Sequence, residues 1–516
     1  MPSPSASQGH QFPKTATPTQ GRSRLVPKPK NTAADKHHRT IDPTKVAPTP
    51  EVYKTRSNVF VNYRRPLNGA PPKDVVAGSD KQEPVEYIQE EEGVTLIAAA
   101  GDLILEVRQD EKSDQYLYRV QSSTLKSCSS YFDRLMGPTF QEGISMAKQH
   151  AQLTIEYGAV EKAPITALPR IRIEHIGQIS TKVKMIHPLM TDLLAILHGR
   201  DTTGRKVPLS NLANLCVVAD RFACLAPLSH WATRKGLLRP TASTHPQPSE
   251  DVQRQRIYAG LLLDYAPWVL KHSAQLLLRG SPRWASPATP PAALDPAWAS
   301  LPRGVEAELQ LRRACVLAAL ASLVEHCVAL YAAPARQCKL GYDSSAQCDA
   351  FQLGQFVTQL AKKELLSLRA RFAPPASVRA DDDAGADEED EEDADAAAQR
   401  DIPALIQTLR EMPAYQIDAN HAHCGPRKRL VAFLDVVDDL LVESSVGVCL
   451  ECMRSGQPTH PADPWDWGRI KPLPRVSAHL VRRKAGGVKG GGGEHRHLSG
   501  YDLFLANEWH WAEGEG

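Results

Sequence analysis

The sequence predicts an α+β fold: a small β-sheet covered by helices, followed by a region of helices, with long unstructured segments elsewhere. Between residues 93 and 239, short apolar runs bounded by polar turns alternate with segments of helical periodicity. Residues 240–380 and 400–455 show helical periodicity alone. The chain also has 40 prolines and 32 glycines, unevenly spread, which indicates that a large part of it lies outside these elements.

The block at 93–239 begins with two strands. Residues 102–107, DLILEV, form a short apolar strand, and 116–120, YLYRV, read as its antiparallel partner across a polar turn. A serine at 122 or 123 supplies the N-cap of a helix that continues at regular apolar spacing to Met136. The remaining predicted elements are a third strand at 171–176 and three helices at about 188–197, 208–219 and 225–232.

Five segments of this block carry a resemblance to a known family. They are GDLILEV at 101–107, YRVQSSTLKSCSSYFDRLM at 118–136, FQEG at 140–143, LLAILHGR at 193–200 and LANLCVVADRFACLAPLSHWA at 212–232. In their order and spacing they resemble the BTB/POZ domain, in the form found in chains from filamentous fungi. The resemblance implies a non-enzymatic protein–protein interaction module that pairs two copies or docks a partner protein.

The resemblance also assigns roles to individual residues. It implies that Asp102 lies beside the dimer interface and that Leu125, Tyr131 and Phe132 occupy core and interface positions of the first helices. Gln121 stands where many relatives have His, so the charged pocket that binds corepressors is not implied. Two alternatives stay open: a substrate adaptor bound to a cullin scaffold, and a nuclear regulator with a nucleic-acid-contacting arm. Nucleic acid is not the expected partner, and no membrane is expected.

One connection in the block departs from the family. The segment between Gly143 and Pro169 is about 25 residues longer than the usual connection, and long structureless loops are commonly functional or disordered. It shows no clear period, so we expect a disordered insertion near 144–169.

Charge is distributed in opposite blocks outside the folded segments. Residues 1–92 are predicted to be a disordered basic arm, with 13 Lys or Arg against three acids in the first 73 positions. Residues 381–399 are predicted to be an acidic linker, with 11 acids and no base between 381 and 395. The arm is interpreted as a solvated segment, with nuclear import or nucleic-acid contact as the alternative. Residues 456–516 are predicted to be a flexible tail.

In the helical region the pattern predicts helices at about 257–278, 305–331, 347–371 and 427–443. The apolar stretch 314–333 is interrupted by Glu325 and His326, which favours a buried helix over a membrane span. Ten scattered cysteines do not form a disulfide framework, and the N-terminus has no apolar signal core. We therefore expect an intracellular protein, in the cytoplasm or the nucleus.

A candidate zinc site follows from His and Cys spacing around the 427–443 helix. His421, His423 and Cys424 precede this helix, and Cys449-x-x-Cys452 follows it. Two such clusters could supply the four N and S ligands of tetrahedral zinc. The alternative is that the histidines are exposed and the cysteines are small buried hydrophobes. Cys338 and Cys348 are more isolated and carry less weight.

No enzyme is predicted. The sequence has no nucleophile elbow, HExxH pair, Walker A loop or dinucleotide fingerprint. Apart from zinc, no cofactor is expected.

Overall fold

A computed structural model describes thirteen segments of the chain: 89–91, 93–109, 114–202, 206–240, 248–284, 295–340, 345–366, 401–421, 424–443, 446–455, 466–469, 473–477 and 502–511. All of them belong to one compact unit, Glu83–Gly516. The predicted disorder of residues 1–88 and the predicted acidic linker at 381–399 lie outside the described residues. Within them, the fold is α+β, with a small sheet and many helices, as predicted.

The sheet has five strands. They are β1 (Gln89–Glu91), β2 (Val94–Leu96), β3 (Leu103–Arg108), β4 (Tyr116–Val120) and β5 (Arg170–Glu174), arranged in the order β1-β2-β4-β3-β5. The predicted β3–β4 hairpin is confirmed: the two strands pair antiparallel, and β5 pairs parallel with β3. β5 ends at Glu174 because His175 has a φ of 59°, a left-handed conformation that breaks the strand.

Strands β1 and β2 are a finding that the sequence pattern did not predict. β1 falls inside the arm predicted to be disordered up to residue 92, so that boundary was wrong at its C-terminal end. β1 pairs antiparallel with β2, and β2 pairs parallel with β4. A three-residue strand has too few residues to show a period, and its backbone hydrogen bonds come from the neighbouring strand.

Six α-helices complete the part of the first block that the structure describes. They are α1 (Ser122–Cys128), α2 (Ser130–Leu135), α3 (Gln141–Tyr157), α4 (Ile186–Leu197), α5 (Leu209–Arg221) and α6 (Leu225–Arg234). The predicted single helix up to Met136 is two helices, because Ser129 is extended, with φ −146° and ψ 118°. The Ser129 hydroxyl then caps α2 by accepting the backbone N–H of Phe132.

Helix α3 corrects the expected disorder at 144–169, which was wrong. Gly143, Met146 and Leu153 are buried along one side of the helix. Gly143 allows its backbone to approach the end of α2, since a Cβ there would lie 2.0 Å from the carbonyl oxygen of Gly137. Only Met146 and Leu153 among its apolar residues are buried, and Gly143 adds nothing to an apolar pattern, so the helical period was not evident.

In the described residues of the second region, seven α-helices follow. They are α7 (Glu250–Leu262), α8 (Ala266–Arg279), α9 (Val305–Ala332), α10 (Ser345–Lys362), α11 (Ile402–Arg410), α12 (Arg427–Glu443) and α13 (Leu450–Ser455). The prediction of α12 is confirmed at both ends. The predicted helix at 257–278 is instead two helices, because Asp264 has a φ of 64° and Pro267 occupies the first turn of α8. The predicted helix at 347–371 is α10, which begins two residues earlier and ends at Lys362.

Two large apolar cores hold the unit together. The first joins the sheet to α4, α5 and α6, and it also includes Tyr258, Trp268 and Trp298. This core therefore extends beyond residue 240, where the boundary between the two regions was predicted. The second core is formed by residues from all seven helices α7 to α13 and from the described pieces at 466–469, 473–477 and 502–511.

Parts of the predicted flexible tail are ordered, which corrects that prediction for the described pieces at 466–469, 473–477 and 502–511. β6 (Val476–Ser477) and β7 (Trp509–His510) pair parallel. Phe504 and Trp511 are buried in the second core. Burial of large aromatic side chains offsets the entropy of ordering these short pieces, which lie on either side of the glycine-rich stretch at 486–493.

Among the described helices, α9 is long and apolar enough to cross a membrane by length and composition. Half of its most apolar window is buried against the rest of the protein. Two turns of α9 also carry a buried ion pair, between Arg312 and Glu308. These features agree with the predicted buried helix, since α8, α10 and α12 pack against α9.

Candidate metal centre

Four side chains from distant parts of the chain form a cluster in the second region. Cys338 lies in the turn after α9, and Cys348 lies in the first turn of α10. His421 ends the short 3₁₀ turn Ala419–His421, and Cys424 lies just before α12. All four possible ligand atoms lie within 4.8 Å of one another.

The spacing between these atoms is that of a metal coordination shell. Cys338 Sγ lies 3.5 Å from His421 Nδ1 and 3.7 Å from Cys424 Sγ. Cys424 Sγ lies 3.6 Å from His421 Nδ1. A tetrahedral zinc ion with ordinary bond lengths separates two sulfurs by about 3.8 Å and a sulfur from a nitrogen by about 3.6 Å. The cluster can therefore hold a metal ion without rearrangement of these three ligands.

Burial closes the cluster on most sides. Cys338, Cys348 and His421 are buried, and Cys424 is half-buried. Four protein ligands fill a tetrahedral shell, so a bound ion would keep no open position for a substrate. The chemistry that this arrangement can perform is therefore to link chain segments rather than to activate water.

Hydrogen bonds fix the backbone beside two of the ligands. The Asp349 carboxylate accepts the backbone N–H groups of Gln337 at 2.8 Å and of Cys338 at 3.0 Å. The Tyr331 hydroxyl donates to the carbonyl oxygen of Cys424. Because α9 supplies Tyr331 and α10 supplies Asp349, both helices orient the loops that carry the ligands.

The thiols differ in acidity. Burial raises the pKa of Cys338, but hydrogen bonds, including those with Cys424 and His421, outweigh this effect and lower the pKa to about 7. Burial, followed by the nearby Cys424 and Cys338 thiols, raises the pKa of Cys348 to about 12. Burial, and then the Cys338 thiol, also raise the pKa of Cys424. Three thiolates this close repel one another without a cation, and a divalent metal removes that repulsion.

The structure brings together two of the five residues that the sequence singled out as zinc ligands. His421 and Cys424 belong to the cluster, and His423 lies outside the described residues. Cys449 and Cys452 are not members of it. Their places are taken by Cys338 and Cys348, which are more isolated in the sequence.

Cys449 and Cys452 lie instead around the buried side chain of Arg312, which both thiols influence electrostatically. Arg312 donates to the carbonyl oxygens of Val446 and Gly447, just before these cysteines. The segment is also held by Ser273, whose hydroxyl accepts the backbone N–H of Val448. This cysteine pair thus lies where α13 packs against α8, beside Arg312 of α9.

The residues assigned by the BTB/POZ resemblance lie in the first block. The Asp102 carboxylate accepts the backbone N–H of Ser122 at 2.7 Å and its hydroxyl at 2.6 Å. Leu125 and Phe132 are fully buried in the first core. Tyr131 is half-buried, with its ring edge-on to Phe132 at 5.3 Å between centroids.

No protein-family model, no curated protein and no solved structure matches this chain. Any function proposed for it therefore depends on its own residues and their geometry.

Proposed function

We propose that this protein is a non-enzymatic interaction protein that acts through the block at 93–239, pairing with a second copy or docking another protein. The observation that carries the proposal is the element order of the block: a strand hairpin, two short helices, a strand parallel to the first, and three helices. The sequence predicted strand, strand, helix, strand and three helices, and this order supports the proposal with the first predicted helix divided into α1 and α2. The added strands β1 and β2 and helix α3 are insertions around it.

The position of Asp102 supports the same proposal. The side chain of Gln121, at the N-cap position of α1, makes no capping hydrogen bond. Asp102, just before β3, caps the helix instead, because its carboxylate accepts the backbone N–H of Ser122. The carboxylate thereby fixes α1 against the start of β3. Because α1 contacts α2, which carries Tyr131, fixing α1 makes the surface of these two helices more rigid, as a pairing module needs.

Sedimentation equilibrium of the full chain tests the proposal. At tens of micromolar, we expect a species of twice the chain mass. Tyr131→Ala is expected to weaken the association, while Tyr157→Ala, an equally half-buried tyrosine on α3, is a control that leaves it unchanged. A chain that stays monomeric and captures no protein partner from a lysate contradicts the proposal.

Two alternative outcomes are informative. Stoichiometric co-purification of a cullin supports the adaptor function. Steeply salt-dependent binding to nucleic acid, lost when residues 1–73 are removed, supports the nuclear regulator.

We also propose that the metal held by the cluster is zinc. Three thiolates and one imidazole are soft and borderline ligands, which favour zinc over magnesium or calcium. The observed sulfur and nitrogen spacings match tetrahedral zinc. Both the proposed interaction block and the proposed zinc centre are non-catalytic.

A further inference from the structure

The metal centre is surrounded by hydrogen bonds that act on its ligands through the backbone. Asp349 follows Cys348 directly in α10. One of these adjacent residues is a ligand, and the other holds the backbone of a second ligand, Cys338. Both of its carboxylate oxygens are used: Oδ2 accepts the N–H of Gln337, and Oδ1 accepts the N–H of Cys338. Asp349 is itself buried, with 8 % of its surface exposed. These two hydrogen bonds therefore hold the backbone of Cys338 in the orientation that directs its thiol to the other ligands.

A second contact holds the opposite side. Tyr331, at the end of α9, is buried and its hydroxyl donates to the carbonyl oxygen of Cys424. Cys424 lies 86 residues after Cys338, on the connection that leads into α12. Tyr331 thus links the loop that carries Cys424 to α9, the helix that precedes Cys338.

A third contact joins the same two loops. Arg429, in the first turns of α12, donates to the side-chain oxygen of Gln337 at 2.7 Å. The residue before Cys338 is thereby tied to α12 by its side chain and to α10 by its backbone. Zinc with three thiolates carries a net charge of about −1, so a guanidinium on this side also balances the occupied centre.

From these contacts we infer that Asp349 and Tyr331 are positioning residues of a preassembled structural zinc centre, which clasps the α9–α10 connection to the loop before α12. This inference rests on the zinc proposed above. Asp349 holds Cys338 through two backbone N–H groups, and Tyr331 holds Cys424 through its carbonyl oxygen. Neither residue touches the metal; each lowers the cost of bringing its ligand into the coordination shell.

The ligand spacing supports preassembly. The Cys338, His421 and Cys424 atoms already stand at the separations of a tetrahedral shell, within a few tenths of an ångström. Ligands on independent loops would not keep such spacing unless the surrounding hydrogen bonds fixed them. Removing one of these bonds should therefore weaken metal binding even though all four ligands remain.

The test is the zinc affinity of the full chain, measured by competition with a chromophoric chelator, for four variants and the wild type. Asp349→Asn keeps one carbonyl acceptor, Asp349→Ala keeps none, and Tyr331→Phe removes the hydroxyl alone. Asp201→Asn, which changes an exposed ion pair in the first block, is the matched control. We expect Asp349→Ala and Tyr331→Phe to bind zinc about 10- to 100-fold more weakly, with Asp349→Asn between wild type and Asp349→Ala.

Cobalt(II) substitution gives a readout that general stability does not change. Wild type should show the intense visible bands of a four-coordinate cobalt–thiolate site, and Asp349→Ala should shift or weaken them. Variants that lose folding stability but keep wild-type zinc affinity and cobalt bands overturn the inference. A wild type that binds no zinc overturns the proposed zinc centre itself, so the two failures are distinguishable.

Discussion

The Sγ atoms of Cys338 and Cys424 lie 3.7 Å apart, although 86 residues separate them in the chain. They meet because α9, α10 and α12 pack together in the second core, which brings the loop after α9 beside the loop before α12. The centre is thus a product of tertiary packing. Its ligands come from both sides of the segment that contains the predicted acidic linker.

We predict that Cys348→Ser removes tight zinc binding, although Cys348 was not among the ligands expected from the sequence. Loss of one thiolate leaves an incomplete tetrahedral shell and should weaken zinc by at least about 10-fold. Cys449→Ser is the matched control, since Cys449 lies beside Arg312 and not in the cluster. Zinc content after dialysis measures both variants. Loss of zinc from Cys449→Ser with retention in Cys348→Ser would contradict the assigned ligand set.

We predict that Gly143→Ala destabilises the first block. The added methyl group would lie 2.0 Å from the carbonyl oxygen of Gly137, so α3 must shift away from α2. The expected cost is about 1–3 kcal/mol in the free energy of unfolding. Gly354→Ala, within α10 and with open space around its Cα, should instead stabilise by about 0.5–1 kcal/mol. Urea unfolding compares the two, and equal effects would argue against the α2–α3 contact.

We predict that Asp102→Ala destabilises the chain by about 1–3 kcal/mol, because it leaves the N–H and hydroxyl of Ser122 without their buried acceptor. Ser122→Ala should cost less, because the backbone N–H keeps its acceptor. In the double variant the two losses should not add, since both remove the same interaction. Asp133→Ala, an exposed carboxylate on α2, is the control and should change stability by less than about 0.5 kcal/mol. Additive losses in the double variant would mean that the two residues act separately.

We predict a histidine-dependent loss of stability in mild acid. Burial, and then the nearby Arg256, lower the pKa of His272 from 6.5 to about 4. Its Nε2 faces the Arg256 guanidinium at 3.4 Å, so the neutral ring is favoured in the folded state. As the pH falls below 6.5, His272 therefore takes up a proton in the unfolded chain before it does so in the folded protein. The free energy of unfolding then decreases until the pH reaches about 4, where the folded protein is also protonated at His272.

The measurement is urea unfolding of wild type and His272→Gln at pH 7.5 and pH 5. Wild type should lose about 2 kcal/mol more than the variant between these two pH values. Equal losses would show that His272 titrates normally in the folded protein.

Elements with a strong local period could be predicted from the sequence. The β3–β4 hairpin and the α12 bounds were confirmed because apolar residues repeat there at the strand or helix period, between clear turn residues. Helix α3 was missed because its buried face includes Gly143, which fits by having no side chain and so adds nothing to an apolar pattern. The extended backbone at Ser129 divides the first predicted helix in two. The spacing of apolar residues does not show a break at a single residue.

The metal centre could be predicted only in part. His421 and Cys424 stand three positions apart and formed a recognisable chelating pair. The other two ligands, Cys338 and Cys348, lie before α11. Cys449 and Cys452 are nearer in the chain to His421 and Cys424, and their C-x-x-C spacing is more typical of a zinc-binding pair. Only the packing of α9 and α10 against α12 decides between the two pairs. The candidate ligands can be read from the sequence, but which of them lie together depends on the tertiary structure.

The metal content of the full chain tests the central claim most directly. Protein purified without chelators and analysed by inductively coupled plasma mass spectrometry should contain about one zinc per chain, bound by Cys338, Cys348, His421 and Cys424. A zinc content well below one per chain, unchanged after incubation of the reduced protein with zinc, would contradict the account.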